Sequence, residues 1–331
     1  MRRRQFLTGA ALLAGSAALV RSPASAAGAE PHAIPHLLDP LLSLPGQKGA
    51  QIDVDEADNP WRVTYKPNEQ LFCGSCFKTF VLAAYMQEVE EGRQDEHAQL
   101  AIDDSVRTAS SSVFGNLSGT TMARNALEAM IAHSDNTGTD VIMQRVGAER
   151  VRAFVNDAGL AGVRIPDSTR RFFSYVAGAP AGEDMGWKAL SALLREDKPD
   201  ASKFRPALND VETMAAPAAD FVSYYKRALA GEFFSKPETL VEFKRILAMA
   251  DSIAIALPPD TPAFMKGGSI DWNGFYCMAS AGQMIVRGVP VTFALTLNWT
   301  DSDGDAKKIT ADYIEAVKTV LGKVNTRLLE V

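Results

Sequence analysis

Apolar and polar positions alternate near both ends of this chain, while helical spacing governs its middle. Residues 50–54 and 61–65 read as two short strands joined by an acidic turn, Asp55 to Pro60. At the other end, residues 263–266, 274–280, 283–287 and 289–298 have strand character. Ala281-Gly282 and Arg287-Gly288 read as the tight turns between them. Between these blocks the apolar period changes to that of a helix. It predicts helices over about 75–91, with Phe77, Phe80, Val81, Ala84 and Tyr85 as the apolar stripe, and over 121–133, 140–146, 148–158, 218–231 and 237–250. A short helix over 187–195 and a closing one over 311–329 complete the set. Strands at both ends around a helical middle predict one sheet built from both ends of the chain, with a helical lobe inserted. The connection from Ile165 to Ala216 is long and broken by prolines, a length that usually carries function.

The first 26 residues read as a leader rather than as part of the fold. Arg3-Arg4-Gln5-Phe6-Leu7 has the twin-arginine form, an apolar stretch follows from Gly9 to Val20, and Ala24-Ser25-Ala26 offers a cleavage site. Export by the twin-arginine pathway, to a periplasmic or secreted location, is the expectation. A Pro-rich stretch, residues 27–49, is expected to cross the surface before the fold begins. The chain of 331 residues has a formal net charge of −6, and the leader holds four arginines and no acid, so the remainder carries −10. Such a protein, lacking basic clusters, is a poor partner for nucleic acid or anionic membrane. Cys73, Cys76 and Cys277 do not make a disulfide framework, although one bridge to Cys277 stays open. The C-x-x-C spacing of Cys73 and Cys76 has no second Cys/His pair beside it, so no metal or organic cofactor is implied.

Three segments carry the chemistry. Ser75-Cys76-Phe77-Lys78 places a hydroxyl and an amine one helical turn apart, on one face, so the amine can take the hydroxyl proton without a histidine. Ser134-Asp135-Asn136 adds a second hydroxyl and an amide, and Lys266-Gly267-Gly268-Ser269 a second cation, the complement an acyl-transfer site needs. Each motif alone is cheap. Ser223-Tyr224-Tyr225-Lys226 and Ser302-Asp303-Gly304 are near copies in what read as a packed helix and a turn. The order and the flanking segments, Tyr65 to Phe72 and Leu127 to Met143, set the first three apart.

With these residues the chain resembles the serine β-lactamase and penicillin-binding superfamily, and within it most closely the class A β-lactamases. The resemblance implies an α+β, β-lactamase-like fold: an antiparallel five-stranded sheet flanked by helices plus an all-helical lobe. The sheet lobe would take residues of about 45–80 and 240–331, the helical lobe about 81–239. It also implies roles. Ser75 would be acylated, Lys78 would be its proton partner, and Ser134 would pass the proton to the leaving nitrogen. Asn136, Gly268 and Ser269 would contact the substrate, and Lys266 would attract its carboxylate. Backbone N–H groups of Ser75 and Ser269 would form the oxyanion hole. The implied protein is a monomeric hydrolase of β-lactams. Alternatives are a D-Ala-D-Ala peptidase, an esterase, or a non-catalytic binder of a small-molecule or peptidoglycan-derived ligand.

Two positions depart from the family's pattern. Lys266-Gly267-Gly268 lacks the hydroxyl of K-T-G, which Ser269 would have to replace. In place of E-x-x-L-N stands Arg205-Pro206-Ala207-Leu208-Asn209, and an arginine cannot serve as a general base. Deacylation would then fall to Glu212 or Glu183, or to Lys78, or the acyl-enzyme would be long-lived.

Overall fold

The computed structural model describes residues 34–196 and 200–330; the leader lies outside them. In chain order the first elements are α1 (Asp39–Leu42), β1 (Gln47–Val54), β2 (Trp61–Tyr65), β3 (Leu71–Phe72), a 3-10 turn (Gly74–Phe77) and α2 (Lys78–Glu90). Then come β4 (Gln99–Ile102), β5 (Gly119–Met122), α3 (Ala123–Ala132), α4 (Asn136–Val146), α5 (Ala148–Asp157), α6 (Thr169–Val176) and α7 (Gly186–Leu193). The last are β6 (Ala215–Ala216), α8 (Ala218–Leu229), α9 (Pro237–Leu247), α10 (Ser252–Ala256), β7 (Ala263–Trp272), β8 (Phe275–Val286), β9 (Val289–Thr300) and α11 (Ala306–Glu330).

The main sheet has five antiparallel strands in the order β2-β1-β9-β8-β7, so the two ends of the chain meet along β1 and β9. This is the expected α+β architecture. Helix α8 packs on β1, β8 and β9, and α11 packs on β8 and β9. With both faces covered, β1 is buried at every position from Lys48 to Val54. Helix α8, grouped with the helical lobe from sequence alone, thus belongs to the packing of the sheet. Part of the Pro-rich stretch is also built in: α1 lies against α11, and Leu37, Leu38 and Leu41 are buried.

One predicted turn is corrected. Ala281-Gly282 is not a corner but the middle of β8, where Ala281 pairs with Lys266 and Ala294. Gly282 is required there by close approach, since a Cβ would stand 2.2 Å from Cβ of Met265. The true corners are Asn273-Gly274 and Arg287-Gly288, whose four residues all have positive φ, as two-residue hairpins demand.

The helical lobe sits around α2, which is buried along most of its length and packs on α3, α4, α5 and α9. Helix α4 begins at Asn136, one turn earlier than its apolar spacing indicates. Asn136-Thr137-Gly138-Thr139 are weak helix formers, but the Asp135 carboxylate caps them by accepting the Gly138 N–H at 2.7 Å.

Candidate active site

The Ser75 turn is fixed from behind. Asn298 of β9 holds both backbone groups of Phe72, accepting its N–H and donating to its carbonyl, each at 2.9 Å. The next N–H, of Cys73, bonds to the Met214 carbonyl at 3.0 Å. From the front, β7 crosses the turn at backbone contact. A Cβ at Gly268 would lie 2.1 Å from the Cys73 carbonyl oxygen and 2.9 Å from the Ser75 nitrogen. One at Gly74, where φ is +52°, would lie 2.6 Å from the Ser269 nitrogen. Only glycine fits either position, and their bareness is what brings the Ser75 and Ser269 backbones together. Ser75 itself stays half-buried at the head of the turn.

Lys78, one turn on, is fully buried. Its Nζ donates to the Ser134 carbonyl and to Oδ1 of Asn136, both at 2.6 Å, and stands 3.4 Å from Oγ of Ser134. Burial pushes its pKa well below the usual lysine range, and the charge of Lys266 pushes the same way, against Asp135 and Asp140. A neutral amine here has both N–H groups satisfied and keeps its lone pair. Ser134 adopts φ of +56°, an uncommon conformation for a residue with a side chain, and its carbonyl is the one that Lys78 holds. Asn136 faces both ways, since its Nδ2 donates to the Ala109 carbonyl at 2.9 Å. Its amide therefore orients Lys78, in addition to the substrate contact that the resemblance implies for it. The segment from Thr108 to Phe114 is in turn clamped on Asp135, which accepts the N–H groups of Val113 and Phe114 at 2.7 and 3.0 Å.

Lys266 is buried in β7 and donates to the Gly267 carbonyl at 3.0 Å; burial lowers its pKa, with Asp251 opposing. A cavity of about 230 Å3 joins Ser134, Lys266, Gly268 and Ser269 to Ser252 of α10 and Tyr313 of α11. The structure thus gathers Lys78, Ser134 and Asn136 in one cluster, and Ser134, Lys266, Gly268 and Ser269 around one cavity, with the Ser75 backbone against Gly268. All three cysteines are free and buried. Cys76, beside Ser75, donates its thiol proton to the Lys266 carbonyl at 3.1 Å, and burial pushes its pKa up to about 12, which makes it inert. The near copies do other work: Lys226 bonds Asp55 at 2.7 Å, and Ser302 lies in a 3-10 turn.

Neither acid named for deacylation lines that cavity. Glu212 is buried at the neck of the long connection, lining a separate depression with Arg152, Arg164 and Asp167. It accepts the Asp167 N–H at 3.0 Å and lies 3.8 Å from Arg171. Burial raises its pKa to about 7 against the pull of that N–H, and the charge of Asp167 adds to the rise. Glu183 is exposed. Arg205 is structural: it donates to the carbonyls of Tyr175 and Ala179 and lies over the Tyr175 ring.

Asp140, given no role from sequence, holds α6 in place. Its two oxygens accept the Thr169 and Arg170 N–H groups at 2.7 and 2.9 Å, and burial raises its pKa to about 6. An aspartate one helical turn after Asn136, leading the apolar Val141-Ile142-Met143, was the available signal. Helix α6 buries Phe172 beside Thr169, Ser174 and Val176, with the Phe172 ring 5.6 Å from that of Phe72 and the half-buried Phe173 ring 6.2 Å from that of Trp272 between centroids.

Solved structures share this fold. A β-lactamase from Xanthomonas campestris pv. campestris superposes with a TM-score of 0.66 at 18% identity, covering 88% of this chain and 96% of that one. One from Sphaerobacter thermophilus gives 0.66 at 14%, covering 89% and 96%. A mutant of PBP-A, solved as an acyl-enzyme complex with penicillin G, gives 0.64 at 15%, covering 88% and 95%. No curated protein matches the chain in sequence. The sequence profile of the β-lactamase enzyme family does, over residues 43–248, more than half of the chain. A Ser-x-x-Lys turn backed by a buried amine and faced by a glycine-lined strand therefore has its lineage: this chain belongs to the β-lactamase enzyme family.

Proposed function

We propose that the protein is a serine acyl-transfer hydrolase of the class A and penicillin-binding type, acylated at Ser75 by β-lactams or related cyclic amides. The observation that carries this is the state of Lys78. Its amine is driven toward neutrality, has both N–H groups occupied by Ser134 and Asn136, and is left with a lone pair one helical turn from the Ser75 hydroxyl. In the first step Lys78 takes the Ser75 proton as Oγ attacks the amide carbon. The developing oxyanion is met by the N–H groups of Ser75 and Ser269. Ser134 then relays the proton from Lys78 to the departing nitrogen, which breaks the C–N bond and leaves the acyl group on Ser75.

Turnover is the second half of the reading. Neither Glu212 nor Glu183 lines the cavity that Ser134 and Lys266 share, and α6 buries the ring of Phe172. These placements support a long-lived acyl-enzyme over rapid hydrolysis, as in a penicillin-binding peptidase; a mutant of PBP-A, of the same fold, is known as an acyl-enzyme complex with penicillin G. Cleavage of the leader and export to the periplasm belong to the same reading. Intact mass of the purified protein with benzylpenicillin, followed over time, tests it. A stable adduct absent in Ser75→Ala is expected, an adduct that decays within seconds would restore the lactamase, and no adduct at all would leave a binding protein.

A further inference from the structure

Gly267 leaves open where a substrate carboxylate finds the hydroxyl that K-T-G would provide. Ser269, the sequence candidate, is exposed. The neighbouring helix offers another. A Cβ at Gly267 would stand 3.0 Å from Cβ of Ser252 and 3.4 Å from its Oγ, so Ser252 already fills the room a threonine side chain would need. The Ser252 Oγ is buried and has no hydrogen-bond partner among the described residues. A buried hydroxyl without a partner is costly, and a ligand acceptor is its natural complement. Its residue lines the same cavity as Ser134 and Lys266. It is also held in register with Ser134, because the Asp251 N–H bonds the Ala132 carbonyl at 3.1 Å, tying the start of α10 to the end of α3.

We propose that Ser252 takes over the missing threonine's part and, with Ser134 and Lys266, seats the carboxylate of a cyclic-amide substrate. The hydroxyl has moved from the strand to the facing helix, and Gly267 is the vacancy that lets it in. Asp251 lies on the same cavity and offsets the charge of Lys266, which leaves more of the recognition to neutral donors. This inference rests on the acyl-transfer reading above.

The test compares acylation of Ser75 by benzylpenicillin and by its methyl ester. In Ser252→Ala, acylation by the acid should fall roughly ten-fold or more, the loss expected for one hydrogen bond to a charged group, while the ester changes little. Ser252→Thr should keep the preference for the acid. Gly267→Thr alone should lose it through the clash, and Ser252→Gly with Gly267→Thr should recover it to within a few-fold. Equal loss for acid and ester, or no loss for either, with the wild-type adduct intact, would overturn the role of Ser252 alone. A wild-type protein that neither compound acylates would remove the acyl-transfer reading and this inference together.

Discussion

Lys78 and Glu212 are both buried groups whose pKa is displaced, and their surroundings are built to opposite ends. Around Lys78 burial drives an amine toward neutrality, and its Nζ bonds the Ser134 carbonyl and the Asn136 amide oxygen, with Oγ of Ser134 3.4 Å away. Around Glu212 a carboxyl pushed up to about 7 is tied to Asp167 and Arg171, and Asp167 is bonded in turn to Arg152 at 2.6 Å. The neck is closed further by Asn209, which accepts the N–H groups of Val211 and Glu212 at 2.9 and 2.8 Å. A displaced pKa therefore marks a site only where the group is left with something to do. On the proposed reading the lone pair of Lys78 has a proton to take from Ser75, whereas Glu212 is fastened to the Asp167 backbone.

The largest test of that contrast is to exchange the losses. Lys78→Ala should lower the acylation rate of Ser75 by about 10^2–10^4-fold, as removal of a positioned base does, and Glu212→Gln should leave it within a few-fold. A comparable loss in both variants would put the two regions on one footing. Next in size is Gly268→Ala. Its methyl would collide with the Cys73 carbonyl, so β7 must retreat from the nucleophile turn and the Ser75 and Ser269 amides must part. Acylation should drop by roughly 10^2–10^3-fold, the cost of an oxyanion donor, with far-ultraviolet circular dichroism unchanged.

The smallest effect is on stability against pH. Glu212 and Asp140 are raised to about 7 and about 6 in the fold, so between their ordinary values and these the native state holds protons that the unfolded chain has released. Their contribution is complete at low pH and lost as pH rises through 6 and 7, so the thermal midpoint should climb on going from pH 8 to pH 5. Each kcal/mol recovered moves it by roughly 2–4 °C in a chain of this size. Glu212→Gln should flatten that climb in a thermal melt series. Glu88 works in the opposite direction. Arg93 and Arg150 bond its carboxylate and hold its pKa down to about 2 despite burial, so its stabilisation fades only below pH 4.5, clear of this window.

Much of this was legible in the sequence, and the remainder was not for definable reasons. Strands β1, β2 and β9 and most helices follow from local period, which divided β8 in two and ended β7 early, because sheet and helix faces bury residues at fixed spacing. Ser75, Lys78, Ser134, Asn136 and Lys266 stand out because their chemistry is written into short motifs. The misreading of Ala281-Gly282 came from treating glycine as punctuation when it serves as clearance beneath Met265. Helix α6 was missed because Thr169-Arg170-Arg171-Phe172-Phe173 has little aliphatic period, although Ser168 caps it by accepting the Arg171 N–H at 3.0 Å. Ser252 and Asp140 have meaning only through what the folded chain sets opposite them, and no spacing rule reaches across that gap.

The meeting of β1 with β9 has a consequence for how the molecule comes to life. Gln47 is matched with Asn298 across some 250 residues of intervening chain, so the central strand cannot be laid down until nearly the whole polypeptide is present. Residues 75 and 266 stand on opposite sides of that closure. Until β9 is in place its Asn298 cannot hold the Phe72 backbone, so the turn that carries Ser75 is fixed only once nearly the whole chain is present.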